Sequence, residues 1–328
     1  MQRGLTRSGD LRNIGALAGF CVLLAGFWIE VRSARIGETL GSHVAIAFVS
    51  FALLLAPLWF FGFGAAEELR KRLQTASSRI LLPACFSIPY LLFATSRGDL
   101  HWAYALAFAV IPVCYAAVFE IAPLEQKFAW RDFAILLSLV LILELRLLSG
   151  AWPYPGLGSL PKLYLADVAL YAYLVNRGIH GTGYSFVPTR TAFLVGIREW
   201  LFFAPIGIGL GLVLGFIHFF PRSHSFVDIV SGLLVTFLLT AVPEELFFRG
   251  ILQNLLEPRI GTRSALVGTA LLFGLSHFHK GAVFNWRYVL LAALAGIFYG
   301  RVWRERRELL ASSTTHTLVD AVWSLWFR

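Results

Sequence analysis

Three places in the last third of the chain put ionisable side chains where the surrounding residues are apolar. Glu244, Glu245 and Arg249 close a long apolar run that contains Pro243; Phe273 and His277 end the next run, with His279 two residues on; His316 and Asp320 lie inside the last run. At the centre of a membrane helix each such residue costs roughly 2.5–3.5 kcal/mol, so each asks for a partner or a purpose. A spacing of four puts Glu245 and Arg249 on one helix face with the carboxylate N-terminal, the order that favours pairing. Glu244 falls about 100° around the helix and is left without that partner. Pro243 withdraws one amide donor and loosens the turn before it, which opens room beside Glu244. His316 and Asp320, also four apart, predict an imidazole that the carboxylate orients or that converges with it on one ligand.

Helical rise sets these groups at a common depth. Glu244 is 13 positions before Glu257 and His277 is 14 after Arg263, so at about 1.5 Å per residue both sit roughly 20 Å from their shared loop. An antiparallel hairpin places them level. Taken singly, each motif has a structural reading: an ion pair bracing a hairpin, an interfacial histidine, a polar clasp between helices. Two carboxylates, two imidazoles and a guanidinium on three of the last four helices predict a joint functional site instead.

The elements that must position them follow from composition. With 58% hydrophobic and 14% charged residues and a mean hydropathy of +0.71, the chain departs from soluble domains, which are about a quarter charged. Apolar runs long enough for a hydrocarbon core of about 30 Å recur throughout. Windows such as Val44 to Phe63 are apolar on every face, which excludes the alternating pattern of a β-barrel. The expected fold is all-α: a polytopic transmembrane bundle with spans near 14–31, 44–65, 80–96, 101–119, 133–148, 163–176, 200–220, 227–250, 264–278, 288–303 and 309–327. That makes about 11 spans, or 10 if 163–176 lies at the interface. The first run follows Arg3, Arg7 and Arg12 but ends at Glu30 and Arg32 with no small-residue cleavage site, so it reads as an uncleaved span.

The net charge of +9 comes from residues scattered through short loops, which points to lipid headgroups and away from nucleic acid. With the N-terminus inside, 19 of 28 basic residues fall on the cytoplasmic side, Arg249 among them. Cys21, Cys85 and Cys114 lie in apolar runs and read as small hydrophobes rather than a disulfide framework. Trp152, Tyr154 and Tyr184 read as interface anchors. A Pro/Gly-rich stretch at 152–161 and a polar stretch at 176–198 mark boundaries. They divide residues 1–195, a transmembrane region without chemical motifs, from residues 196–328, where the site lies.

The order Glu244-Glu245-x-x-x-Arg249, Phe273-x-x-x-His277, His316-x-x-x-Asp320 on successive membrane helices resembles the CPBP family of intramembrane proteases, which includes the type II CAAX prenyl endopeptidases and Abi-like proteins. The likeness covers roughly residues 195–328. A similar acidic motif at Glu67, Glu68 and Arg72 has no histidine motif in the helices right after it and reads as a solvated face. The resemblance implies an endopeptidase acting on a membrane-tethered peptide, in a multi-pass protein of the bacterial inner membrane. It implies Glu244 as general base on water, His277 holding that water, His316 and position 320 at the oxyanion, and Glu245 with Arg249 bracing the helix. Asp320 stands where the CAAX endopeptidases proper tend to have Asn. Ionised, it cannot donate to an oxyanion; it must be protonated or orient His316. No cofactor is preferred, although two histidines and a carboxylate could hold zinc with a position open for water. The competing reading is a non-catalytic immunity or assembly factor that binds a peptide or a lipid headgroup in the same pocket. A transporter would show matching broken helices in two halves, which this chain lacks.

Overall fold

A computed structural model of the chain describes residues 2–33, 35–154, 156–278 and 284–327, with side chains from residue 12 onward apart from 32–36. His279 lies outside the described residues. The architecture is an all-helical bundle. Each of the eleven apolar runs overlaps a helix, although 200–220 outruns Arg190–Val213 by seven residues and 133–148 outruns Trp130–Glu144 by four. Among the described residues six helices are long and apolar enough to cross a membrane: Arg12–Val31, Gly37–Phe61, Ala76–Arg97, Trp102–Glu120, Arg190–Val213 and Phe226–Ile260. The helices that carry the histidine motifs miss this measure because they exchange apolar residues for functional ones or stay short. Leu309–Trp326, for example, contains Ser312, Ser313, Thr314, Thr315, His316, Thr317 and Asp320.

The chain forms two compact units, residues 1–124 with 129–178, and residues 125–128 with 179–328. In the first, Leu163 to Tyr173 are all buried, so this segment is a core helix and not an interfacial one. It continues into π-helical turns at Tyr171–Asn176. Here Asn176 and Arg79 both donate to Glu120, the arginine in bidentate fashion at 2.7 Å. Arg177 pairs with buried Asp132 at 3.2 Å. Trp152 corrects its sequence reading: it is 2% exposed and packs edge-on against Tyr90 and Phe108. A proline-rich neighbourhood had made it look like a loop residue. Tyr154 lies under the Arg97 guanidinium. The three cysteines are free but exposed, on outward helix faces where an apolar solvent accepts them, rather than packed inside. Glu67–Lys71 and Glu68–Arg72 form exposed pairs one turn apart.

Among the described residues the second unit has five long helical segments, Arg190–Val213, Phe226–Ile260, Thr262–Leu275, Trp286–Arg306 and Leu309–Trp326. Three of them begin at side-chain caps. Thr189 accepts from the Ala192 amide, Asn285 from the Tyr288 amide, and Ser225 exchanges bonds with Asp228 in a capping box. Gly261, at φ +80°, makes the sharp turn between the second and third segments. The first segment starts ten residues before the expected span, and Arg198 and Glu199 lie within it. Glu199 is 1% exposed, yet Arg301 reaches it at 3.3 Å and Arg198 at 3.7 Å, so its charge is neutralised inside the helix. Likewise Arg249, counted on sequence grounds among the cytoplasmic loop cations, is fully buried in its helix.

Thr262–Leu275 and Trp286–Arg306 run antiparallel in close contact. A Cβ at Gly274 would stand 2.5 Å from the Val289 carbonyl and 2.7 Å from Ala293 Cβ, the small-residue approach common between membrane helices. Gly274→Val is expected to destabilise the protein by about 1–3 kcal/mol, measured as a lowered midpoint of thermal unfolding in detergent. An unchanged midpoint would mean that the two helices part at no cost.

Candidate active site

The acidic motif sits where the second segment changes its winding. Phe237–Ala241 and Leu246–Gln253 are π-helical, and the α-helical Val242–Glu245 lies between them. Such wide turns cluster at functional sites because they redirect neighbouring side chains, and Pro243, which cannot donate in the ladder, accounts for one of the breaks. Glu245 points inward at 0% exposure, whereas the Glu244 side chain keeps 14%.

Glu245 is the hub. Its Oε1 accepts from Arg249 Nη1 at 2.8 Å and faces His316 Nδ1, also at 2.8 Å. Arg249 Nη2 donates to the Gly296 carbonyl at 3.0 Å, and its guanidinium lies over the rings of Phe273 and Tyr299. His316 stacks on Tyr299, with centroids 4.6 Å apart at 15°, and meets the edge of Phe273. These rings fix the imidazole plane. With Nδ1 engaged by Glu245, Nε2 faces Asp320 Oδ2 at 3.5 Å and Glu244 Oε2 at 3.8 Å, separations at which a water can bridge.

His277 is held from the third segment. Its Nδ1 lies 2.9 Å from the Phe273 carbonyl, one turn back, and its ring packs on Tyr288 and Phe273. Donation from Nδ1–H to that carbonyl fixes the tautomer in which Nε2 is the acceptor. His277, His316 and Asp320 line one cleft whose remaining wall is mainly apolar: Trp200, Phe203, Phe216, Ile217, Trp323 and Phe327 among others. The structure thus brings Glu244, Glu245, Arg249, His316 and Asp320 into one cluster. His277 joins it through the shared Phe273 ring and the common cleft.

Zinc-bound histidines also donate from their other nitrogen to an acceptor. Among the described residues, however, no three His, Cys, Asp or Glu side chains are grouped as metal ligands would be. No step below passes through a metal. Sequence reading missed Gly296, Tyr299 and Tyr288. The signal for Gly296 was present in the small-residue run Ala292, Ala293, Ala295, Gly296, which marks a close helix approach. Nothing in the spacing of the two tyrosines set them apart from ordinary membrane aromatics.

A polytopic bundle of apolar helices marks an integral membrane protein, here with carboxylates, imidazoles and a guanidinium buried beside an apolar cleft. Residues 226–322 match the family described as type II CAAX prenyl endopeptidase Rce1-like. The match supports a CPBP-family protease, and the matched segment contains all six candidate residues. No curated protein and no solved structure matches the chain.

Proposed function

We propose that the protein is a metal-independent, glutamate-type endopeptidase of a bacterial inner membrane that cleaves a membrane-tethered peptide, with residues 196–328 as its protease core. The observation that carries this reading is His316, which lines the cleft with Asp320 and is held by Glu245 on one nitrogen while Glu244 and Asp320 approach the other. Glu244 takes a proton from water as the water oxygen attacks the scissile carbonyl carbon, and His277, through Nε2, holds that water. The carbonyl oxygen becomes an oxyanion and receives a hydrogen bond from His316 Nε2–H, with Nδ1–H committed to Glu245. The proton on Glu244 then passes to the leaving amine as the C–N bond breaks. Donors preset for the developing oxyanion are commonly the largest catalytic contribution. Asp320, an acceptor when ionised, orients and balances His316 and does not donate. Glu245 and Arg249 are positioning residues.

Three outcomes test the reading with a farnesylated CAAX reporter peptide and the purified protein in liposomes. His277→Ala is expected to lower kcat by about 10²-fold or more, in the range of a lost acid–base or water-positioning group, with the unfolding midpoint kept. Dialysis against a strong chelator is expected to leave turnover unchanged, and a loss restored by zinc would overturn the metal-free chemistry. Glu244→Asp is expected to be nearly inactive because the shorter arm withdraws the base from the water. A binding protein using the same pocket would tolerate that change.

A further inference from the structure

We infer that the cleft opens on the non-cytoplasmic side of the membrane, so that its peptide is one tethered in the outer half of the bilayer after export. The substrate half of this inference rests on the endopeptidase reading; the orientation half stands without it.

The second unit has two unlike ends. At one end lie the start of Arg190–Val213, the turn between Phe226–Ile260 and Thr262–Leu275, and the turn from Arg306 to Leu309. Contacts tie these together: Arg198 with Glu305 at 2.5 Å, Arg307 with Glu257, Thr189 with Glu308 at 3.0 Å, and Trp303 Nε1 with the Thr182 carbonyl at 3.0 Å. At the other end lie the loop 214–225, the end of Thr262–Leu275, the start of Trp286–Arg306 and the C-terminal turn. There Phe220 N donates to the Trp326 carbonyl, His224 meets the Leu325 carbonyl, and Phe216, Trp323 and Tyr288 pack ring on ring.

Basic residues divide unevenly between these ends. Among the described residues the first holds Arg190, Arg198, Arg259, Arg263, Arg301, Arg304, Arg306 and Arg307, and the second Arg222 and Arg287. An excess of lysine and arginine in short connections marks the cytoplasmic side, because these charges resist translocation. The first end is therefore cytoplasmic.

The cleft belongs to the second end. Its wall includes Phe216, Ile217, Tyr288, Trp323 and Phe327. Gly207, also in the wall, is 17 residues from Arg190, about 25 Å along the helix from the arginine-rich end. His316 forms the floor. Beyond it towards the cytoplasmic end the bundle is filled: Val302, Trp303 and Ala311 are 0% exposed, and Leu309 and Leu310 are buried. Ion pairs close the surface over them. A peptide reaches His316 and Glu244 past the aromatic mouth and not through that plug.

Orientation can be read without any substrate. In full-length protein with Cys21, Cys85 and Cys114 replaced by serine, Ser223→Cys marks the loop at the cleft mouth and Ser264→Cys the arginine-rich end; both positions are exposed. A membrane-impermeant maleimide is applied to intact bacterial cells, then to permeabilised ones. Ser223→Cys is expected to be labelled in intact cells, and Ser264→Cys only after permeabilisation. Labelling of Ser264→Cys in intact cells, or failure of Ser223→Cys to react until permeabilisation, overturns the inference. Loss of peptide cleavage as a reading, with this labelling pattern intact, would remove the endopeptidase assignment and leave the orientation.

Discussion

Glu244→Gln is expected to lower turnover of the reporter peptide by about 10²–10⁴-fold, the range for a lost general base, with little change in stability. The change keeps the shape and a hydrogen-bonding oxygen, and it removes only the capacity to accept a proton. Stability is spared because the buried charge pairs with Arg249 run through Glu245 and not through Glu244, whose side chain keeps 14% exposure beside the cleft floor. KM is expected to hold, since the apolar wall that receives the peptide does not include Glu244. A loss confined to kcat marks an interaction made in the transition state. Retained turnover in Glu244→Gln, measured with protein whose unfolding midpoint matches the unaltered chain, would remove Glu244 from the mechanism and with it the glutamate-type chemistry.

The same cluster shows what a sequence can and cannot disclose. The spacing of Glu245 and Arg249 determined their pairing, because helix geometry alone brings residues four apart together; the distance of 2.8 Å follows from it. The preference of His316 for Glu245 over its own neighbour Asp320 was not legible. It depends on the rotation of one helix against another, and that rotation is set by π-helical turns at 237–241 and 246–253 whose wider pitch breaks the 3.6-residue count. Gly296 escaped notice for a related reason. Its role is a backbone carbonyl, which has no side-chain signature, and the absent Cβ lets Arg249 Nη2 approach within 3.2 Å of where one would stand. The start of the Arg190–Val213 helix was hidden because Arg198 and Glu199 look like loop residues until Glu305 and Arg301, about a hundred positions on, are seen to pair with them.

Removing one partner and removing both are expected to give opposite results at Glu245 and Arg249. Arg249→Met alone leaves the Glu245 carboxylate buried without its guanidinium, and breaking a buried pair in this way costs about 3–5 kcal/mol. The double change Glu245→Leu with Arg249→Met replaces both charges by apolar groups of similar size and is expected to recover most of that stability, since well-packed hydrophobic replacements of buried pairs are often neutral. Activity is expected to stay lost in the double variant. Glu245 Oε1 is shared between Arg249 and His316 Nδ1, so its removal leaves the imidazole with no acceptor to fix Nδ1–H, and Nε2 is no longer aimed at the oxyanion position. The measurement is a pair of unfolding midpoints beside a pair of kcat values. If turnover returned together with stability, the Glu245–Arg249 pair would be a brace for the helices and nothing more, and His316 would owe its orientation to Tyr299 and Phe273 alone. A folded double variant without turnover separates the positioning of His316 from the holding together of the bundle.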